Sequence, residues 1–382
     1  MDFDLTAEQQ LLADGLTRFL DSRYDLAESR TVAKVGDGWQ PQIWQAFADE
    51  LGVIGACLPS SVGGDDGGPE ELMVVTEALG RALVVEPFVD TVVLGAQMLA
   101  RTGHERALAV ARSVAAGKQL VAVAALEDSS GGRLNHVTSR AERADSGAWI
   151  LHGDKAVVTS APLAQHLVVT ARIDGLDDDR DGVGLFLVDL GEGTPDGLTM
   201  HEFRTVDDRR AADLAFGGLT LPADALLADG ERALELLECA WDTATAAVVS
   251  EAVGLMRKVL ADTVDYTKQR QQFGRPLAGF QALAHRMVDM YIELEQAVAA
   301  QYLAILSLAA DPVQRAAAVS AAKATIGRAA RFIGQNAVQL HGGMGMTEEL
   351  AIGHYFRRLT VIEYEFGSVD AHLARVEQLA RA

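Results

Sequence analysis

Apolar residues recur at three- and four-residue steps at both ends of the chain, and in short runs through its middle. Near the N-terminus, Leu5, Leu12, Leu16, Phe19 and Leu20 fall mostly on one helical face. Thr6 stands before Ala7-Glu8-Gln9, with Gln9 three residues on, a capping-box pattern that opens this helix. The spacing predicts a second helix over 41–51, with Ile43, Trp44 and Phe47 apolar. A third opens at Pro69, a favoured first-turn residue, and runs through Glu77-Ala78-Leu79-Gly80-Arg81; a fourth covers 91–101.

Near Leu120 the period becomes strand-like. Val121 to Ala125, Trp149 to Leu151, Ala156 to Val158, His166 to Val169, Gly184 to Val188 and Leu214 to Phe216 are short apolar or β-branched runs. Gly, Asp and Ser clusters separate them, as in an all-β unit. The acidic stretch Asp174 to Asp181 reads as a solvated hairpin tip. From about Asp229 the helical period returns. Val249, Ala252, Val253, Met256 and Leu260 form one stripe; Leu283, Met287, Met290, Tyr291, Leu294 and Val298 form another. Val319, Ala322, Ile326, Ala329, Ile333, Ala337 and Leu340 form a third, and a last helix follows Ser368.

The expected fold is therefore α+β and multidomain: a helical domain over 1–118, a β-barrel-like domain over 119–228 and a four-helix bundle over 229–382. Alternating βαβ units are missing, which excludes a doubly wound nucleotide-binding sheet.

Composition sharpens this picture only in places. Of 382 residues, 49% are hydrophobic and 23% charged, a soluble globular balance with ample core. No window holds eighteen consecutive apolar residues, so no membrane span is expected. Met1 to Leu5 lacks a leader pattern, and Cys57 and Cys239 are the only two cysteines; a reducing, cytoplasmic setting without disulfides is expected. The net charge of −21 repels phosphate backbones and argues against nucleic-acid binding, though not against a locally held anionic ligand. No metal site is expected.

Two glycine-rich stretches are candidates for ligand contact. In Ser61 to Gly68, two internal aspartates with Glu70 and Glu71 behind them oppose an anion, so this reads as a flexible helix connection. In Gln339-Leu340-His341-Gly342-Gly343-Met344-Gly345-Met346, three glycines within four residues follow a helix. That cluster serves either as a helix stop or as a place where backbone meets a ligand. Gly343-Met344-Gly345 lacks the third glycine of a dinucleotide fingerprint, and no strand precedes it.

Several motifs in order resemble the acyl-CoA dehydrogenase family over essentially the whole chain. They are Arg270-Gln271-Gln272-Phe273-Gly274 followed by Phe280-Gln281, and Gln339 to Gly345. Glu77 to Arg81, Phe216 to Pro222 and Gly153-Asp154-Lys155 support them. The resemblance implies an oligomer that uses FAD to desaturate an acyl-CoA thioester between its α and β carbons. A carboxylate takes the α-proton while a hydride leaves the β-carbon for the flavin. Such a base needs an apolar, water-excluded pocket, and the thioester carbonyl needs hydrogen-bond donors. Electrons then pass to an electron-transfer flavoprotein or another acceptor, oxygen included.

By the same resemblance, Arg270, Phe273, Gln339, Gly342 and Gly343 reach a neighbouring chain's FAD, with Arg270 on its pyrophosphate. Read alone, Arg270 is a surface arginine paired with one of many acids, and Gly342 and Gly343 are a helix C-cap; only as a set do they point to the cofactor. Residues toward the chain's own flavin depart from the family. The usual Thr-Glu-Pro and Gly-Ser after the first strand are replaced by Leu126-Glu127-Asp128-Ser129-Ser130-Gly131-Gly132. A flavin-packing aromatic is replaced by Val157, while Thr159 two residues on is retained. The base departs too. Counting back from Gly367, its position holds Phe366; counting from Tyr364, Glu365 would serve as the catalytic residue, its other reading being a solvated or ion-paired glutamate near Arg357 and Arg358. The alternative base position, on the first long C-terminal helix, holds Ala244, with Asp242 and Glu251 off register.

This asymmetry, with Gly353 to Thr360 and Phe366-Gly367, resembles the small subunits of heteromeric actinobacterial and proteobacterial acyl-CoA dehydrogenases that act on steroid side chains or dicarboxylic acyl-CoAs. It implies a partner subunit in an α2β2 assembly. The alternatives are a self-sufficient homo-oligomer with Glu365 as base, and a non-catalytic acyl-CoA-binding or assembly protein. Leu83 to Phe88 falls near the acyl pocket floor by resemblance.

Overall fold

A computed structural model describes residues 5–191 and 193–381. The expectation of no leader at residues 1–4 falls outside them. Two compact units emerge, one of residues 1–29, 69–84 and 245–382, the other of 30–68 and 85–244. Among the described residues no helix is long and apolar enough to cross a membrane.

The first unit is helical. Helix α1 (Ala7–Arg23) opens with the expected capping box, Thr6 and Gln9 each bonding the other's backbone N–H. After α2 (Leu26–Val35), α3 (Pro41–Asp49) and the one-turn α4 (Val53–Ala56), helix α5 (Pro69–Arg81) returns to this unit. Further on come α8 (Gly230–Gln269), α9 (Gln281–Leu306), α10 (Pro312–His341), α11 (Ile352–Tyr364) and α12 (Val369–Arg381), with α6 (Gln97–Thr102) and α7 (Glu105–Ala115) lying earlier in the chain. The stripes of α8 and α10 are buried in one core that also takes Met290 and Leu294 of α9. Tyr291 departs from the expected stripe: it is 54% exposed, because the buried face of α9 runs through Met290, Leu294 and Ala297 instead. Glycines explain how tightly α5 meets α8. A Cβ on Gly80 would lie 2.1 Å from the Glu251 carbonyl oxygen, and one on Gly254 would lie 2.0 Å from that of Glu77. Only hydrogen at both positions lets the two backbones touch.

The second unit carries an eight-stranded sheet: β1 (Val121–Ala124), β2 (Arg140–Arg143), β3 (Trp149–Thr159), β4 (His166–Arg172), β5 (Val183–Asp189), β6 (Leu198–Arg204), β7 (Arg210–Leu221) and β8 (Leu226–Asp229). The path runs β6-β7-β3-β2-β4-β5-β8, and β1 pairs with β4 in parallel. The runs 149–151 and 156–158 are one continuous strand with two irregularities in its pairing to β7. Strands β2 and β6 have no apolar run to announce them; their sequences, Arg-Ala-Glu-Arg and Leu-Thr-Met-His-Glu-Phe-Arg, carry half-exposed polar faces.

Two segments of this unit depart from expectation. The predicted helix over 91–101 is π-helical over Phe88–Ala96 before it tightens into α6, and all nine π-helical residues are buried. The glycine-rich stretch 61–68 is no slack connection. Asp65, Asp66 and Gly67 donate their N–H groups to Gly55, Leu58 and Ala56, and the Asp66 carboxylate accepts from the Ser60 N–H at 2.7 Å. These donors are spent inside the protein, none facing a phosphate. The acidic stretch 174–181 does join β4 to β5, and the buried Arg172 guanidinium holds it through the carbonyls of Asp177, Asp179 and Asp181.

Candidate functional site

In the helical unit, two segments present ligand-type groups outward. Arg270 follows the last residue of α8. Its N–H bonds the Tyr266 carbonyl at 2.8 Å, and its own carbonyl accepts from Leu277 at 2.9 Å. Between these bonds, Gln271–Gln272 pairs with Arg275–Pro276. The turn needs two left-handed residues, Phe273 at φ 52° and Gly274 at φ 78°. Glycine takes that conformation freely, whereas phenylalanine does so at about 1 kcal/mol. The Phe273 ring is nonetheless 90% exposed, touching Phe280 edge-on at 6.1 Å. A strained aromatic residue left in water serves something other than this chain's stability. Arg270 is exposed, with no side-chain partner among the described residues.

The second segment is the glycine corner. The Gln339 carbonyl accepts from the Gly342 N–H, and Gly342 caps α10 at φ 62°, ψ −144°, a conformation reserved for glycine. A Cβ on Gly342 or Gly343 would meet nothing within 4 Å, so Gly343 is not small to suit this chain's own packing. Gly345 is buried, where a Cβ would lie 2.8 Å from the Val338 carbonyl oxygen. Gln339, Gly342 and Gly343 are exposed.

Between α11 and α12 lies the turn where the base was sought. Phe366 occupies it at φ 59° and Gly367 at φ 120°. Glu365 is 11% exposed, and its carboxylate lies 2.9 Å from the Arg358 guanidinium. Arg358 also grips Glu251 with both arms, Nε and Nη2 each 2.7 Å from a carboxylate oxygen. Glu365 and Glu251 are thus both directed at one buried cation. Below the turn, the buried Lys323 ammonium donates to the carbonyls of Glu363 at 3.2 Å and Gly367 at 2.8 Å. Burial pulls Lys323 down to about 8 despite Glu365 and Glu363 nearby. The neighbouring His372 is pushed down to about 3, by burial first and then by Lys323 and Arg375. In the other unit, Ala244 and Asp242 of α8 are fully buried.

The sheet unit holds Thr159, but its hydroxyl is engaged. Thr159 Oγ1 donates to Asp90 Oδ1 at 2.8 Å, and Ser160 donates to the other oxygen of the same buried carboxylate. Val157 sits at φ 51° on a bulge of β3, 57% exposed, its N–H bonded to the Asp213 side chain. Glu127 and Lys155 form a buried ion pair at 2.6 Å. Thr138 and Ser139 each donate backbone and hydroxyl hydrogens to Glu127, and Lys155 also donates to Thr170. Burial raises the Glu127 carboxyl, but Lys155 and the hydrogen bonds outweigh it and bring it to about 2. Burial brings Lys155 down to about 8 against the pull of Glu127.

The outward residues were legible in sequence, as was an ion pair of Glu365 with a nearby arginine; the Asp90 partner of Thr159 was not. Asp90 and Lys323 carried one signal each, a charge inside an otherwise apolar stretch of helix. Among the described residues, no group of three or more His, Cys, Asp or Glu is placed to hold a metal ion.

Comparison with known proteins follows the chain from end to end. The N-terminal, middle and C-terminal domain families of acyl-CoA dehydrogenase match residues 6–109, 122–218 and 242–379. The short-chain-specific acyl-CoA dehydrogenase of Megasphaera elsdenii is 27% identical, with 98% of each chain covered. The acyl-CoA dehydrogenase FadE27 of Mycobacterium tuberculosis is 26% identical with the same coverage. Among solved structures, the ChsE4–ChsE5 complex of Mycobacterium tuberculosis contains a chain 25% identical, with TM-score 0.88 and 100% of both chains covered. A variant of the steroid enzyme Tcur3481–Tcur3483 is 27% identical, with TM-score 0.86 and 98% of both chains covered.

Proposed function

Since the chain belongs to the acyl-CoA dehydrogenase family, we propose that it is the complementing subunit of a heteromeric α2β2 acyl-CoA dehydrogenase and completes the FAD site of a second, related chain. One contrast carries this reading. Arg270, Phe273, Gln339, Gly342 and Gly343 are exposed, and the Arg270 guanidinium has no partner among the described residues, whereas Thr159 is bonded to Asp90 and Glu365 is paired with Arg358.

The outward set fits FAD in its chemistry. An unpaired guanidinium suits a pyrophosphate, an exposed ring suits a flat heterocycle, and glycine backbone admits close approach. FAD, when bound, supplies the acceptor for the hydride that leaves the β-carbon of the acyl-CoA. This chain's residues bind and orient: Arg270 neutralises phosphate charge, and Phe273 covers a ring face. Phe366 carries no proton-accepting group, so the α-proton falls to a carboxylate of the partner. An electron-transfer flavoprotein or another oxidant would be the acceptor for the assembled enzyme. The acyl group is of the steroid side-chain or dicarboxylic type, a reading supported by the likeness to chains of two-component enzymes, one of them described as a steroid dehydrogenase. Cys57 and Cys239 are not joined in a disulfide, which supports a reducing, cytoplasmic setting.

The test is substitution in the co-expressed complex. Arg270→Met and Gly342→Val are expected to lower FAD content at least tenfold while both chains still co-purify. Undiminished FAD in both variants would sink the proposal. FAD bound by the unsubstituted chain expressed alone, and lost from it on the same substitutions, would instead favour a homo-oligomer that shares its sites between identical copies.

A further inference from the structure

The Arg270 turn and the glycine corner come from different helices, and one aromatic contact joins them. Tyr266 lies one helical turn before Arg270 on α8, while His341 is the last residue of α10 and immediately precedes Gly342. Their rings stack with centroids 4.2 Å apart and planes 25° from parallel. The Tyr266 hydroxyl donates to the His341 carbonyl oxygen at 3.4 Å, across 75 residues of sequence. His341 is itself buried and anchored, its Nδ1 donating to the Ala337 carbonyl oxygen at 2.8 Å. A carbonyl only accepts, so Nδ1 carries the proton and the ring cannot flip without losing that bond.

Each partner is thus tied directly to one outward segment. The Tyr266 carbonyl holds the Arg270 N–H, and the His341 backbone sets the start of the corner at Gly342. Beyond the turn, the Arg270 segment is held by local contacts: Leu277 to the Arg270 carbonyl, and Arg275 over the Phe280 ring at 4.0 Å. These shape the turn without fixing its distance from the corner.

We infer that Tyr266 and His341 are a positioning pair, which holds Arg270 and the Gly342–Gly343 backbone in register as one cofactor-contacting surface. This rests on the proposed role of those residues toward a neighbouring chain's FAD. Neither member of the pair need touch the cofactor. Two groups that grip different parts of one rigid ligand act together only if their separation is fixed beforehand, and a stack between their anchoring helices fixes it.

The experiment compares Tyr266→Leu, which removes ring and hydroxyl, with Tyr266→Phe, which keeps the stack. Tyr266→Met is the second perturbation should the leucine variant fold poorly. Hydrogen exchange is measured on the full chain, and FAD affinity by flavin fluorescence on the co-expressed complex. In Tyr266→Leu, exchange should rise roughly tenfold in both 270–280 and 341–347 while α12 is unchanged. FAD should bind about tenfold more weakly, and Tyr266→Phe should stay within about threefold of wild type on both measures. Exchange rising in one segment alone would overturn the coupling, as would an equal rise in the phenylalanine variant. Coupled exchange with unchanged FAD affinity would overturn the positioning role. A wild-type complex without FAD would overturn the proposed function and leave the coupling standing.

Discussion

Replacing Lys155 by methionine removes the ammonium from the buried Glu127–Lys155 pair and leaves the carboxylate in place. Glu127 is 6% exposed and Lys155 1%, so solvent does little to screen either charge. In the intact pair the effects oppose. Glu127 titrates at about 2 against an ordinary 4.5, which contributes about 3 kcal/mol above pH 4.5 that is lost as pH falls through 2. Lys155 titrates at about 8 against an ordinary 10.5. Its buried ammonium costs about the same amount below pH 8, and that cost is relieved as pH rises toward 10.5. Both shifts contain the same mutual attraction, so they are not summed; a buried ion pair is on balance near neutral in its effect on stability. Removing one member is not neutral: Lys155→Met should destabilise the sheet unit by about 3–5 kcal/mol at pH 7.5. With the cation gone, burial raises the remaining carboxyl, whose penalty is relieved by protonation. The deficit should therefore shrink between pH 8.5 and 6. Adding Glu127→Met should recover most of it. Urea unfolding followed by tryptophan fluorescence is the assay, because Trp39, Trp44, Trp149 and Trp241 all lie in this unit. A deficit below about 1 kcal/mol, or one that does not change with pH, would refute the reasoning.

Three further outcomes are expected. Gly254→Val places a side chain where a Cβ already meets the Glu77 carbonyl at 2.0 Å, so it should destabilise the helical unit by about 3 kcal/mol in denaturant unfolding followed by circular dichroism. His372 has its folded value pushed down to about 3, so its contribution is complete above its ordinary 6.5 and is lost as pH falls from there toward 3. His372→Gln should remove about 2 kcal/mol of the stability change between pH 6.5 and 5. Glu365→Gln should leave desaturation by the co-expressed complex within about twofold, because Arg358 already engages this carboxylate. Turnover abolished with FAD retained would return the base to Glu365.

The order of helices, strands and helices was readable because burial imposes different periods on the two element types. The α8 and α10 stripes are core throughout. Where one face of an element is wet the pattern thinned, and β2 and β6 escaped notice. Tyr291 shows the reverse error, an apolar residue on the exposed side of a helix. Arg270, Phe273 and the glycine corner were legible because their function, on this reading, sits in short local motifs. Thr159 was legible as a residue type only, and Glu365 as a base or as the partner of a nearby arginine. What decides their chemistry is Asp90, 69 positions away from Thr159, and Arg358 with Glu251, a pair 107 positions apart. Such contacts come from tertiary packing, and a single sequence carries no direct record of them.

The central claim is that this chain finishes another chain's flavin site and lacks a working one of its own. The most direct measurement is flavin-to-protein stoichiometry and acyl-CoA desaturation for the chain purified alone, beside the same chain co-expressed with a family-related partner. Little bound FAD and no turnover are expected for the lone chain, with both restored in the complex. One FAD per chain and full turnover from the lone protein would contradict it.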